Sequence, residues 1–538
     1  MPQDACPERM KPLPLVHASV LALISGILLI IPFLFESMYL ITLVALVPLL
    51  IAIHMQKLIH AVLLGFVTGF CVHFIGLYWL VGTMMLFGGI ALPVSIIFYF
   101  LITIAFGTLL IPFTVALNLA NSRAITKALG GSLFIAAAYT ASEFVFPSVF
   151  PWRLGYPLVN VPQLVQVADL GGPYLVSFMV VLGNAVLFQV LVALRNLTRD
   201  FPWAGIAAVF AVFTVAAVYG HYRLGSVRDI LDTAPKQRIA LLQPNVDIRE
   251  KFITELGPRH TQQLFDMSLA AAGNDATLII WPETGYRNLY WSEREDITLP
   301  PAFPDNTWLF VGVNIIEDDE NGFRYYNSSL ALNNNGDVLG RYDKQRLFPF
   351  GEYFPLSNKF PLLKRLGSIL RISDFTPGSG APVLDFPDGT RIGPLICYED
   401  IFPVHSRNAV NLGADILVNI TNDAWFTDNS WYTSDPVFGK STAPRQHLQL
   451  ARFRTIENRV PMIRATNDSI TAVIDATGAI IEQAPVFAES TIIADIAIAS
   501  IPTLYSRIGD TFVILCLLAV TGVLIYRRTQ WSRSRNEH

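Results

Sequence analysis

Charge is what this sequence most conspicuously lacks, and the lack is local. Between residues 12 and 220 only ten positions are Asp, Glu, Lys or Arg, although such residues make up 15% of the 538-residue chain. A stretch so poor in charge cannot clothe a water-soluble domain, which excludes a wholly soluble protein. Cysteine is scarce too: there are four, with Cys6 in a polar N-terminal tail, Cys71 and Cys516 inside long apolar runs, and Cys397 among titratable neighbours. Surroundings so unlike exclude a disulfide framework, and no CxxC or Cys/His spacing suggests zinc, so free thiols, no metal and no cofactor are expected. A basic excess is missing as well; a net charge of −4 leaves no electrostatic footprint for nucleic acid. Internal repeats and low-complexity tracts are absent. The first apolar run has no clear small-residue cleavage site, so it is expected to stay as a span, and Cys6, which precedes it, is not a lipidated N-terminus.

What is there is apolar: 52% of residues are hydrophobic and the mean hydropathy is +0.45. Crossing a bilayer core of roughly 30 Å takes about 20 residues. Runs of that order fall at about 15–35, 39–54, 58–80, 88–118, 129–146, 172–194 and 203–220, with an eighth at about 508–527. This predicts a membrane domain of seven helices over 1–225, a soluble domain over 226–505, and a last helix with a basic tail over 506–538, the first boundary falling near 221–236. Basic residues fix the direction. Arg9, Lys11, Lys57, Arg123, Lys127, Arg195, Arg199, Arg527, Arg528, Arg533 and Arg535 all fall on one side of an eight-span chain, and the opposite short loops hold little beyond Arg153. Both termini are therefore expected in the cytoplasm, with the soluble domain on the outer side. The connection from Phe146 to Pro173, rich in proline and aromatics, reads either as an interfacial aromatic belt or as part of a lipid-binding wall.

From Gln237 onward the pattern changes to short β-rich runs between turns. Strands are expected at 238–243, 277–281, 308–316, 328–333, 338–343, 392–397, 416–421, 462–466, 471–475 and 491–498, and helices at 259–272 and 447–458. Asn335-Gly336 and Thr477-Gly478 read as hairpin turns, because glycine supplies the positive φ such turns need. Mixed strands and helices over about 260 residues suggest a layered α/β sandwich.

Three of these strands end in chemistry: Trp281-Pro282-Glu283, Tyr342-Asp343-Lys344 and Cys397-Tyr398-Glu399. A carboxylate, an ammonium and a thiol are the groups an acyl-transferring site requires. The thiol is a weak nucleophile at its free pKa of about 8.5 and needs a base, for which Glu283 is placed. Lys344 could lower the thiol pKa and stabilise a tetrahedral oxyanion. Taken singly, each residue has an ordinary explanation. A strand cysteine is commonly a small buried hydrophobe, and a strand-end Glu or Lys is commonly a solvated charge.

The order Glu, Lys, Cys in WPE, YDK and CYE contexts resembles the nitrilase, or carbon-nitrogen hydrolase, superfamily. The apolar half narrows the resemblance to the apolipoprotein N-acyltransferase (Lnt) family. It is carried by FPWRLGYP, DLGGPYLVSF, LLQPNV, WPET, YNSSLAL, YDKQRLFPFGEYFP, ICYEDIFP, TNDAWF, PRQHLQLARFRTIENR and ATNDS. The resemblance implies an αββα sandwich beside a polytopic α-helical membrane domain in a bacterial inner membrane, its catalytic domain periplasmic. It implies Glu283 as general base, Lys344 as stabiliser of the tetrahedral intermediate and Cys397 as nucleophile. Glu352, Tyr398 and Glu399 match supporting positions, with Glu399 either a proton-transfer group or a hydrogen-bond partner only. Asn327, Asn422, Asp423 and Trp425 look like framework residues. The implied reaction moves an acyl chain from a phospholipid, phosphatidylethanolamine being the expected donor, through a cysteine thioester. The acceptor is the α-amine of a diacylglyceryl-cysteine apolipoprotein, and the enzyme is expected to be a monomer.

The sequence departs from the family pattern in three places that bear on substrate choice. Phe252, after Lys251, replaces a lid-loop tryptophan; residues 426–441 form a longer link; and Arg445 stands where an aromatic is frequent. The loops around Phe348-Pro349-Phe350 and Tyr353-Phe354 are either a dry mouth to the site or packing under the sandwich. Two rival readings remain at this stage: a membrane-tethered amidase using the same triad, and a binding protein built on an inactive copy of the fold.

Overall fold

The computed structural model describes residues 12–120, 129–146, 148–196, 201–299, 303–320, 322–369, 373–380, 383–427 and 441–536. The apolar runs form helices α1 (Leu15–Leu34), α2 (Val47–Ile53, preceded by a 3₁₀ stretch Glu36–Leu43), α3 (Leu58–Gly76), α4 (Leu80–Gly88), α5 (Leu92–Phe106), α6 (Ile111–Leu119), α7 (Leu129–Val145), α8 (Ala168–Asn196) and α9 (Trp203–Thr233). Among the described residues, seven helical stretches are long and apolar enough to cross a membrane. They are Leu15–Leu34, Glu36–Ile53, Leu58–Gly76, Leu92–Leu119, Ala168–Arg195, Trp203–Thr233 and Thr511–Gln530. Helix α7 is shorter, at 17 residues. The expected run 58–80 ends early at Gly76, and α4 is a separate short helix after it. Helix α3 crosses the 92–119 stretch backbone to backbone: a Cβ on Gly69 would lie 2.3 Å from the Gly107 carbonyl oxygen. Small residues permit such approaches where there is no hydrophobic force to drive helices together.

The boundary expected near 221–236 falls within and just after a continuous helix. Helix α9 runs unbroken to Thr233, and its last turns join the soluble half, where Val227 packs with Ala476 and Ile501. Nothing in 221–233 breaks a helix; the rise in charge there marks the exit from an apolar environment and leaves the helix intact.

The soluble half contains two sheets. The first has the order β13-β1-β2-β4-β5-β6, from strands Ser490–Ala497, Lys236–Gln243, Leu278–Ile280, Trp308–Asp319, Gly322–Leu332 and Val338–Asp343, with β3 (Tyr286–Trp291) paired to β4. The second runs β12-β11-β10-β9-β8-β7, from Ile480–Gln483, Ala472–Ile474, Met462–Thr466, Ile416–Thr421, Arg391–Ile396 and Leu384–Asp385. Alternation along the strands sorts the core into layers. Ile239 and Leu241 face between the sheets with Ile392, Ile416, Val418 and Ile463, whereas Ala240 and Leu242 lie under α10 (Gly257–Ala272) with Leu264 and Phe265. On the far side Leu395, Leu417 and Met462 pack under α12 (Pro403–Asn411) and α13 (Ala443–Asn458), through Ala409, Leu448 and Ala451. Helix α11 is Pro361–Ile369 and lies outside these layers. This is the αββα sandwich. Strands β3, β7 and β12 were not expected: β7 and β12 are short edge strands, and β3, with two exposed residues mid-strand, shows no clean alternation. Both anticipated turns are present, with Gly336 at φ +91° and Gly478 at φ +85°.

The sandwich sits on one end of the helical bundle. The C-terminal ends of α1 and α3 meet α13, through Gln449 to the Pro32 carbonyl and Gln446 to the Gly76 carbonyl, both at 3.4 Å. The start of α8 meets Arg459, whose Nη2 lies 2.9 Å from Asp169. The last helix, α14 (Thr511–Asn536), leaves the sandwich after Tyr505, whose hydroxyl donates to Asp510 at 2.9 Å. Lys57, Arg195, Arg527 and Arg528 are at or toward the other ends of these helices. Connection 146–173 lies between the two halves and is largely buried: Tyr156 stacks edge-on against Phe453 at 4.8 Å, and Arg153 donates to the Tyr174 hydroxyl at 2.7 Å. The interfacial-belt reading therefore fails for 153–159, because the sandwich covers these residues.

Candidate active site

Glu283 and Lys344 follow β2 and β6 of the first sheet, and Cys397 follows β8 of the second, so strand ends from both sheets converge. All three are buried. Cys397 opens a 3₁₀ turn, Cys397–Ile401, at φ +55°, a left-handed conformation that costs a non-glycine residue on the order of 1–3 kcal/mol. Two side chains hold it there. Asn419 donates to the Cys397 carbonyl at 2.8 Å, and Glu399 reaches back to accept the Ile396 N–H at 2.8 Å. Burial and the Glu283 charge push the thiol well above its ordinary pKa, while Lys344 pulls it down. The resting group is then a thiol, and it needs a base to react.

Lys344 is one of the largest side chains in the chain to be essentially fully buried. A buried ammonium needs partners. Its Nζ lies 2.9 Å from Glu352 Oε1 and 3.5 Å from Glu283 Oε1, and 5.7 Å from the centre of the Tyr398 ring. Burial lowers the lysine's pKa, but Glu352, Cys397 and Glu283 outweigh it and hold the group charged. Asn327 bridges the two carboxylates, its Nδ2 donating to Glu283 Oε1 and Glu352 Oε1 at 2.7 Å each. The other Glu283 oxygen accepts the Asn422 N–H at 2.9 Å, and the other Glu352 oxygen accepts the Phe348 N–H at 2.7 Å. Both carboxylates are thus fixed as acceptors beside the Lys344 ammonium.

Of the supporting residues, Glu399 accepts from the Gln345 N–H at 2.8 Å, the Arg346 N–H at 2.9 Å and the Tyr342 hydroxyl at 3.0 Å, besides Ile396. Burial raises its pKa to about 7 against those donors and Lys344. Four donors leave Glu399 a brace joining the Cys397 turn to the strand end that carries Lys344. Tyr398 donates to the Leu347 carbonyl at 2.6 Å and meets Phe348 edge-on at 5.2 Å. Phe252 closes a short 3₁₀ turn, Glu250–Phe252; its side chain, and residues 428–440 of the longer link, lie outside the described part. Asn327, expected as a framework residue, has that part in the structure, where it holds two of the buried carboxylates; which groups it holds was not foreseen. Its place on β5 opposite Asn314 is a matter of register, which one strand read alone does not reveal.

Glu283, Lys344 and Cys397 line one cavity of about 500 Å³ that continues between the membrane helices. Its walls there include Thr83 and Met84 of α4, Ile102 and Ala105 of α5, and Val149 and Phe150 of the buried connection. Phe348, Pro349, Phe350 and Phe354 also line it, so these loop aromatics are part of its wall. An aromatic chain joins the halves: Trp79 meets Phe426 and Phe150 at 5.2 Å each, and Phe348 meets Phe426 at 5.4 Å. Among the described residues no group of His, Cys, Asp or Glu is arranged to hold a metal. A largely apolar channel ending at a thiol, a carboxylate and an ammonium suits acyl transfer from a lipid.

Comparison with known proteins agrees with that chemistry. The carbon-nitrogen hydrolase family model matches residues 235–504, and that of the apolipoprotein N-acyltransferase N-terminal domain matches residues 25–186. A Geobacter metallireducens protein named apolipoprotein N-acyltransferase is 32% identical over 95% of this chain and 95% of its own. One of the same name from Bdellovibrio bacteriovorus is 30% identical over 79% of this chain and 78% of its own. Among solved structures, Saccharomyces cerevisiae Nit3, of the nitrilase superfamily, is 16% identical with a TM-score of 0.33, covering 52% of this chain and 96% of that one. At that score the likeness decides nothing alone.

Proposed function

As the chain belongs to the apolipoprotein N-acyltransferase family, we propose that Cys397 is the nucleophile through which it transfers an acyl chain from a phospholipid to a lipoprotein amine. The enzyme is an acyltransferase, and the tethered-amidase alternative loses its ground with the match over 25–186. The observation that carries the mechanism is the continuity of the cavity, from apolar walls on α4 and α5 to the Cys397 thiol.

In the first half-reaction Glu283 takes the thiol proton as sulfur attacks the ester carbonyl of the donor. The oxyanion forms beside the Lys344 ammonium. Collapse breaks the ester bond, and the departing alkoxide takes the proton from Glu283, giving a lysophospholipid and a thioester. In the second, the α-amine of a diacylglyceryl-cysteine attacks the thioester carbonyl. The thiolate leaves, and the amine proton returns to sulfur through Glu283. The apolar wall excludes the water that would otherwise hydrolyse the thioester. We further propose eight spans, counting α7, with phosphatidylethanolamine as donor and diacylglyceryl apolipoproteins as acceptors. The sandwich faces the periplasm and both termini the cytoplasm. What supports the direction is that Lys57, Arg195, Arg527 and Arg528 lie toward the bundle end away from the sandwich.

Intact mass of the purified enzyme incubated with phosphatidylethanolamine of defined chains tests the reading. The wild type gains one acyl chain, a diacylglyceryl-cysteine peptide discharges it, and Cys397→Ala gains nothing. An enzyme that releases lysophospholipid while Cys397 stays unmodified would refute it.

A further inference from the structure

Behind the nucleophile, away from the cavity, lies a cluster that the acyl-transfer steps do not use. His447 of α13 stands between two carboxylates, with Nε2 2.6 Å from Asp400 and Nδ1 3.0 Å from Asp423. Arg464 of β10 grips the same pair, at 2.7 Å to Asp400 and 2.6 Å to Asp423. Ser469 adds a donor to Asp423 at 2.9 Å. All five side chains are buried. The cluster connects to the thiol by three routes. Asp400 lies in the same turn as Cys397, and Asn419 accepts from Arg464 at 3.1 Å while donating to the Cys397 carbonyl. The Asp423 and Arg464 charges also act directly on the thiol and its thiolate.

We propose that His447, as an imidazolium, is a positioning residue for Cys397: it brings the buried cluster to zero net charge and so keeps an excess negative charge from opposing the thiolate. The count is two carboxylates against one guanidinium and one imidazolium. A neutral ring leaves a net charge of −1 under the nucleophile. Geometry supports the charged form, since both ring nitrogens face carboxylate oxygens and only an imidazolium donates to both. Arg464 Nη2 also lies 3.0 Å from Nδ1, so a ring that loses that proton turns to accept from the guanidinium. Burial and Arg464 lower the imidazole pKa, Asp400 and Asp423 raise it, and the balance is upward. The charge is therefore held below a pKa above the ordinary 6.5 and lost as pH rises through it. The facing groups are Asp400 from the nucleophile turn, Asp423 from the loop after β9 and Arg464 from β10.

This inference rests on Cys397 being the nucleophile, which the acyl-adduct experiment on the wild type tests separately. Here the reading is the pH profile of Cys397 alkylation by iodoacetamide on the full chain in detergent, the modified cysteine identified by peptide mass. His447→Gln should displace the profile by about one pH unit toward alkali, about tenfold slower at a fixed pH below the thiol pKa. Adding Asp423→Asn restores the charge count and should bring the profile back, although it removes a second member of the cluster. A purely structural role predicts the reverse. A single variant that follows the wild-type profile, or a double variant no faster than the single, overturns the proposal. Should His447→Gln fail to fold, ¹⁵N-histidine spectra of the wild type decide. An imidazolium persisting to pH 8 among the nine histidines upholds it, and none above pH 7 overturns it.

Discussion

At the scale of the residue, the site depends on acceptors kept as acceptors. Glu399 takes four hydrogen bonds, two on each oxygen, with no exposed surface. Glu399→Gln keeps the shape but turns one oxygen into an N–H₂ group facing donors. Above the Glu399 pKa of about 7 it should cost about 3 kcal/mol of stability, since hydrogen bonds to charged groups contribute about 1.5–3 kcal/mol each, and thermal unfolding in detergent at pH 8 measures it. Asn327→Ala removes the bridge between Glu283 and Glu352. Acylation of Cys397 should slow about 100-fold with the fold intact, as small misplacements of a reacting group cost that much, and single-turnover mass spectrometry reads the rate. That Glu283, Lys344 and Cys397 stand at strand ends was legible in the sequence, because a charged or nucleophilic residue there breaks an apolar pattern; their grouping as a triad came from the family resemblance. The contacts of Asn327 and His447 were not legible, because a polar residue inside a strand or helix announces neither its register nor its neighbours.

At the scale of the element, buried ionic contacts join the halves. Arg459 ends α13 in a left-handed conformation at φ +54° and is fully buried. It holds Asp169 at 2.9 Å and the Gln166 side chain at 2.6 Å, while Tyr219 and Arg223 of α9 reach the same Asp169 at 2.7 and 2.8 Å. Removing one partner from such a set leaves a buried charge short of compensation. Arg459→Met should therefore destabilise the chain by about 3 kcal/mol, seen as a lower Tm and faster proteolysis between α9 and β1. The ten expected strands and two expected helices of the sandwich are all present, because apolar β-rich runs between turns mark strands well, whereas β3, β7, β12, α11 and α12 were not foreseen. Nor was the setting of connection 146–173, since prolines and aromatics look alike whether they meet lipid headgroups or a domain resting on them. The boundary expected near 221–236 coincides with no break in the helix for a similar reason: composition marks where the environment changes, and a helix passes through such a change without interruption.

At the scale of the whole molecule, the cavity crosses the border between the two halves, so its membrane walls should choose the acyl chain. Ala105→Trp adds bulk on α5 where the cavity is apolar. Acylation from a palmitoyl donor should fall at least about tenfold, in line with what a crowded apolar pocket discriminates, while a hexanoyl donor is spared; adduct masses from mixed donors give the ratio. Helix α9 carries a further consequence. Its 31 residues extend about 46 Å, well beyond a hydrocarbon layer of roughly 30 Å. Its far end is pinned to the sandwich by Val227. A continuous helix fastened to the catalytic half ties the height of the thiol to that of the span. If that span sits in a bilayer as proposed, lipids that thicken or thin the sheet move their ester groups past the sulfur, and acylation should vary with the chain length of the surrounding lipid.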